Sequence, residues 1–191
     1  MISSRTIRSF AAFAALQSLS PWVVAAQGGM KMPAADANQP PASPRDSLKV
    51  TVAGADVTVN YGRPSKRGRE IFGGLGDMKW GMVWRMGANE ATAFSTTKAL
   101  QFGSAVVPAG KYTLFAKLDQ GGKWELIVNQ QTGQWGTAYA AAEDLVHIPM
   151  TVTTLSAVVE KMEITVKPVG KGGELAVEWD KTRAVVLFTV K

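Results

Sequence analysis

No cysteine occurs anywhere in the 191-residue chain, which excludes disulfides, a thiol nucleophile and a lipid-bearing N-terminal cysteine together. A single histidine, His147, is almost as restrictive. Zinc sites usually draw on several His or Cys ligands, and this chain offers one imidazole plus carboxylates, so no metal and no cofactor are expected. A Ser-His-Asp set could be drawn from Ser65 or Ser95 with His147, but no nucleophile-elbow motif accompanies either serine. The basic residues are scattered apart from Arg63, Lys66, Arg67 and Arg69. No Lys/Arg run interleaves with aromatics, and nucleic acid is therefore not an expected partner. Internal repeats and long amphipathic helical patterns are also missing.

What is present begins with a leader. Arg5 and Arg8 precede apolar stretches from Phe10 to Leu16 and from Trp22 to Ala26, and Val24-Ala25-Ala26 before Gln27 has the small-residue cleavage pattern. Gln17, Ser18 and Ser20 interrupt the apolar stretch, which is too short to span a bilayer. Residues 1–26 read as a secretory signal peptide, with an uncleaved N-terminal anchor as the other reading. Export to the periplasm or the extracellular space is expected, with no stable membrane span after cleavage. Removal of the segment lowers the formal charge of +6 by two, leaving a mildly basic protein. Residues 27–45, with prolines at 33, 40, 41 and 44 and almost no large apolar side chain, read as a disordered tether. Residues 46–191 are the size of one domain able to bury a core unaided.

Within that domain the apolar period is two almost throughout. Val50 and Val52, then Val57, Val59 and Tyr61 across Gly54, predict a hairpin. Leu100 and Phe102 precede a turn; Tyr112, Leu114, Ala116 and Leu118 share a face; Gly121-Gly122 separates them from Trp124, Leu126 and Val128. Further rows are Val146, Ile148, Met150 and Val152; Met162, Ile164 and Val166; Leu175, Val177 and Trp179; and a last strand from Ala184 to Val190. Nine or ten short strands predict an all-β fold, an antiparallel, jelly-roll-like β-sandwich, with a barrel as the second choice. The Gly-rich stretch from Lys66 to Met82 reads as one long loop with a helical turn near Glu70 to Phe72.

The segment Val83-Trp84-Arg85-Met86-Gly87-Ala88-Asn89-Glu90-Ala91-Thr92 stands out, because a strand-like start gives way to a guanidinium, a carboxamide and a carboxylate around a Gly-Ala pivot. Such groups are costly to bury unless they pair or bind something. Five residues apart across the turn, Arg85 and Glu90 could brace each other and need no ligand. Alternatively Arg85 and Asn89 hold a ligand carboxylate, phosphate or hydroxyl while Glu90 accepts a proton or hydrogen bond. Arg63, Lys66 and Arg69 would rim the same pocket if the two segments meet. Trp124, Trp179 and Tyr112 read as core, whereas Trp80, Trp84 and Trp135 are candidates for exposed rings that stack on sugars. Paired-carboxylate chemistry would need Glu90 to face Glu70, Asp77 or Glu143.

Taken in order, Tyr61-Gly62-Arg63-Pro64-Ser65, Gly68-Arg69 with Ile71-Phe72-Gly73, Trp84-Arg85 with Gly87 to Thr92, Pro108-Ala109-Gly110 with Tyr112 and Leu114-Phe115, and Trp124 with Asn129 and Gln134-Trp135-Gly136 resemble the bacterial domain-of-unknown-function family number 2911. The resemblance runs from about Leu48 to Pro168. Gly62 stands where serine is usual and Met86 where threonine is usual. The resemblance implies an exported bacterial domain and brings no activity with it. Two functions follow from the residues. The first is a non-catalytic binding or envelope-associated module for a small polar or glycan ligand, using Arg63, Arg69, Trp84, Arg85, Asn89, Glu90 and Trp135. The second is a cofactor-free hydrolase with Glu90 as general base beside Arg85. One acid and one arginine are few for a mechanism, which favours the first; a purely structural role fits the same residues.

Overall fold

The computed structural model describes residues 42–73, 76 and 78–191. The segment read above as a signal peptide, and most of the one read as a tether, lie outside the described residues. Strands β1 (Arg45–Val52) and β2 (Ala55–Gly62) form the expected hairpin. Its turn residues Ala53 and Gly54 have φ of 45° and 78°, the left-handed pair of a two-residue turn whose twist suits the flanking strands. β1 opens at Arg45, the last residue assigned above to the tether. Then follow β3 (Val83–Trp84), β4 (Thr92–Thr96), β5 (Leu100–Phe102), β6 (Ala105–Val107), β7 (Gly110–Lys117), β8 (Glu125–Asn129), β9 (Asp144–Pro149), β10 (Thr151–Val169) and β11 (Gly172–Val190).

The strands make two antiparallel sheets, a sandwich and not a closed barrel. The larger runs β1-β2-β4-β7-β8-β9, with β3 also on β7, and the smaller runs β10-β11-β5-β6. There is no α-helix among the described residues; two single 3-10 turns occur, at Gln120–Gly122 and Ala141–Glu143. The helical turn expected at Glu70 to Phe72 is not formed. Ile71 is fully buried, and Phe72 makes an isolated bridge with Met78 while its ring enters the aromatic core.

The apolar rows as far as Val128 fall on the strands their spacing suggests, whereas the later rows are divided differently. The row Val146 to Val152 is cut at Met150, where the chain leaves the larger sheet and enters the smaller one. The rows beyond it belong to only two strands of 19 residues each, which form one long hairpin. That hairpin is folded over on itself. A Cβ on Gly172 would lie 1.8 Å from the Phe188 carbonyl oxygen, although sixteen residues of straight strand would put them about 50 Å apart. The bend coincides with Asp180 at φ 56° and with register shifts between Thr154, Val159 and Glu163 on the partner strand. Arg183 on one arm pairs with Glu174 and Glu178 on the other.

The inward rows of the two sheets meet in one core, whose centre is aromatic. Trp84 stacks on Trp179 with ring centres 6.0 Å apart, and Phe72 packs edge-on against both. Rings of this size bury roughly 200 Å² each, on the order of 5 kcal/mol of apolar burial apiece. They pin β3 of the larger sheet to β11 of the smaller. A second, smaller cluster lies on the outer face of the larger sheet, where Ala91, Phe115 and Ile127 pack with Val83 and Tyr139.

Candidate functional site

Trp84 is the last residue of β3 and Arg85 follows it, and the two side chains point to opposite faces of the larger sheet. Trp84 turns inward and is buried to 1% exposure, which removes it from any surface a ligand could reach. Arg85 turns to the outer face, which starts the chain across β2. There Ala88 N donates to Gly62 O at 3.2 Å, and a Cβ on Gly62 would lie 2.1 Å from Ala88 O. Met86 and Asn89 hold φ of 49° and 64°, and Thr92 Oγ1 donates to Met86 O at 2.8 Å across the neck of the excursion. Left-handed backbone at a methionine costs on the order of 1 kcal/mol, so the surrounding bonds must hold it.

The excursion is zipped to the segment following β8. Gly136 N donates to Asn89 O at 3.0 Å and Ala91 N to Gln134 O at 3.2 Å. These two bonds frame Glu90 and Trp135 as a non-hydrogen-bonded antiparallel pair, the arrangement that puts two side chains closest together on one side. The Glu90 side chain is 51% exposed and Trp135 54% exposed. The neighbouring positions Gln134 and Gly136 face the other way, against the sheet. A Cβ on Gly136 would sit 2.0 Å from Arg85 Cδ, so the arginine stem runs directly beneath it.

The Arg85–Glu90 brace anticipated from the spacing is therefore not formed. The carboxylate belongs to Arg45, whose Nη1 donates to Glu90 Oε2 at 2.6 Å and whose Nε donates to Asn60 Oδ1 at 2.6 Å. Hydrogen bonding from Glu90's own backbone N–H, then from Arg45, holds this carboxyl below its ordinary range. Arg85 is half-buried, its Nε is shielded from solvent with no partner, and burial lowers its pKa. Asn89 makes one long contact, its Nδ2 3.5 Å from Ser43 O.

The other basic candidates are drawn elsewhere. Arg63 follows the inward-facing Tyr61 by two residues and crosses to β10, donating to Met162 O at 2.9 Å and pairing with Asp46 and Glu163 at 3.4 and 3.7 Å. Arg69 folds back to the carbonyls of Lys66 and Ser65 at 2.9 and 2.7 Å, and Lys66 pairs with Asp180 at 2.9 Å. These cations tie the start of the long loop to the folded hairpin. They do not rim a pocket with Arg85, which lies on the opposite face. Asp77, one possible acidic partner of Glu90, lies outside the described residues.

Several participants carried no signal in the sequence. Arg45 is remote from Glu90 along the chain, and Asn60 looked like an ordinary outward strand residue. Asn60, Thr58, Ala93, Ser95, Lys111 and Thr132 line a cavity of about 160 Å³ on the same outer face. His147 sits between Glu125 Oε2, 3.1 Å from Nδ1, and Asp144 Oδ2, 3.0 Å from Nε2. Hydrogen bonding to Glu125 and to Asp144 raises its pKa against the opposing effect of partial burial. Asp144 also accepts from the Tyr139 hydroxyl and, at 2.8 Å, from the fully buried Asn129. Burial, then the bond to Asp144, pushes the Tyr139 phenol up. Among the described residues no group of three His, Asp or Glu is arranged to hold a metal ion, and no helix is long and apolar enough to cross a membrane.

The model of the family described as "Protein of unknown function (DUF2911)" matches residues 43–188, and the chain belongs to that family. The match takes in the C-terminal strands as well as the motifs between Leu48 and Pro168. No curated protein and no solved structure matches the chain.

Proposed function

We propose that this member of the family is an exported, non-catalytic binding module that takes a saccharide or a similar small polar ligand on the outer face of its larger sheet. The observation that carries the reading is the Glu90–Trp135 pair: an exposed indole beside a carboxylate that Arg45 keeps ionised and oriented. An indole face suits the C–H face of a sugar ring, and fixed planar acceptors and donors suit its hydroxyls. Asn60 extends the platform, because its Oδ1 is engaged by Arg45 while its amide N–H groups can donate toward the adjoining cavity. A carboxyl held below its ordinary range is a steady acceptor and a weak base, which supports binding over general-base chemistry. Arg85, the partner a hydrolase reading needs beside Glu90, lies on the other side of the segment.

Titration calorimetry against a panel of neutral and acidic oligosaccharides tests the proposal. A binder is expected in the panel, with Trp135→Ala weakening it about tenfold, equivalent to about 1.4 kcal/mol. Absence of binding across the panel, or a Trp135→Ala variant that binds as well as the native chain, would sink it.

A further inference from the structure

The outer face holds a second feature that the saccharide reading does not use. Arg85 reaches the underside of the 131–136 segment with Nε buried and unpartnered, and no carboxylate lies within ion-pair distance among the described residues. The 131–136 segment itself carries two more buried polar atoms without partners, Gln131 Oε1 and Gln134 Nε2. Thr113 joins the two glutamines, its hydroxyl lying 2.7 Å from Gln131 O and 3.5 Å from Gln134 Oε1. One unmade hydrogen bond under a loop is a small cost. A half-buried guanidinium whose Nε is left unpartnered, together with two buried amide atoms, is a larger one, because each polar group buried without a partner costs its desolvation free energy.

Structure elsewhere in the protein shows how its other partly buried cations are treated. Lys66 has Asp180, Arg63 has Asp46 and Glu163, and Arg183 has two glutamates. Arg85 departs from this pattern, and burial depresses its pKa where hydrogen bonding to Glu174 and Glu178 raises that of Arg183 despite burial. The segment above Arg85 is also built to let the side chain lie there. Gly136 leaves the space that the arginine stem fills, and any side chain at that position would strike it.

We infer that Arg85 is an oxyanion site: a carboxylate or phosphate group enters beneath the 131–136 segment, accepts from the Arg85 guanidinium, and is also held by the Gln134 amide. Arginine's planar fork matches both groups, so the shared chemistry is an oxygen anion with two or more coplanar acceptors. Gln131 Oε1 is an acceptor and suits a hydroxyl carried next to the anion. The site is separate from the Glu90–Trp135 platform, since Arg85 and Trp135 lie on opposite sides of one segment.

The test is an NMR titration of the 15N-labelled full chain, following the Arg85 Nε–H resonance assigned by its loss in Arg85→Met. Sodium phosphate and sodium acetate are added in separate arms, each against sodium chloride at matched ionic strength. A saturable shift with phosphate or acetate that chloride does not produce is expected, weakened about tenfold in Gln134→Met. The arm that saturates at lower concentration identifies the anion class. Arg85→Met, which replaces an unpaired charge with an apolar chain, is expected to melt no lower than the native chain in chloride and to lose the extra thermal stabilisation given by the effective anion. A resonance that moves alike with all three salts, or never saturates, overturns the inference. So does an anion-induced rise in melting temperature that Arg85→Met retains in full.

Discussion

Gly62 shows how much one side-chain atom decides at this site. In the sequence it is one residue of the Tyr61-Gly62-Arg63-Pro64-Ser65 motif, yet its missing Cβ is where Ala88 O passes. Gly62→Ala is expected to lift the excursion from the sheet and to destabilise the protein by about 1–3 kcal/mol, the usual penalty of overpacking. Urea denaturation with an unchanged m-value checks it; a midpoint equal to the native one would show that the excursion moves freely. The polar residues of the excursion were legible as a set, because Arg, Asn and Glu in a strand-to-loop transition are out of place in a core. Their pairing was not. Five residues separate Arg85 from Glu90, but left-handed Asn89 and the cross-strand pair with Trp135 turn the carboxylate outward while Arg85 stays underneath.

Strands were the most legible level, since alternation of burial is a local property of a pleated backbone and survives whatever the strand pairs with. Inward rows such as Tyr112, Leu114, Ala116 and Leu118 are buried as their spacing requires. Alternation says nothing about where a strand changes sheet, and so the break at Met150 and the folding of the β10–β11 hairpin were invisible. It does locate His147 on the outer face of β9, opposite Ile127 and beside Glu125 of β8. That position predicts a pH dependence. The groups that face the imidazole are Glu125 from β8 and Asp144 from its own strand, with Tyr139 bonded to Asp144. Because the folded state raises the His147 pKa, it binds the proton more tightly than the unfolded chain does. The stabilisation is complete below the unfolded value near 6.5 and is lost as pH rises through the higher folded value. Thermal melts across pH 5 to 9 should show stability falling above about pH 6.5, a slope that His147→Gln flattens. A slope of the same size in that variant would assign the effect to other groups.

At the scale of the molecule, a chain without cysteine has no disulfides, and the sandwich rests on its apolar core and on paired charges between its sheets such as Arg63 with Glu163. The trio of Trp84, Trp179 and Phe72 links the sheets at the foot of the excursion, so the outer-face groups rest on a rigid base. Export is the proposal that belongs to this scale. Expression of the full chain in a Gram-negative host should yield a mature protein whose N-terminal sequence begins at Gln27; recovery of the intact N-terminus from the cytoplasm would refute it.

Period-two alternation and turn residues were enough to determine an all-β chain, and the ordered motifs were enough to determine its family, because both are written in neighbouring residues. Tertiary structure alone decided which charges meet. Arg45 reaches Glu90 across 45 positions, Arg63 reaches Met162 across 99, and Arg85 is left against Gly136 with its Nε unpartnered. The physical reason is that an ion pair depends on distance and burial in space, and a strand reveals only which face a side chain takes, never what is waiting there.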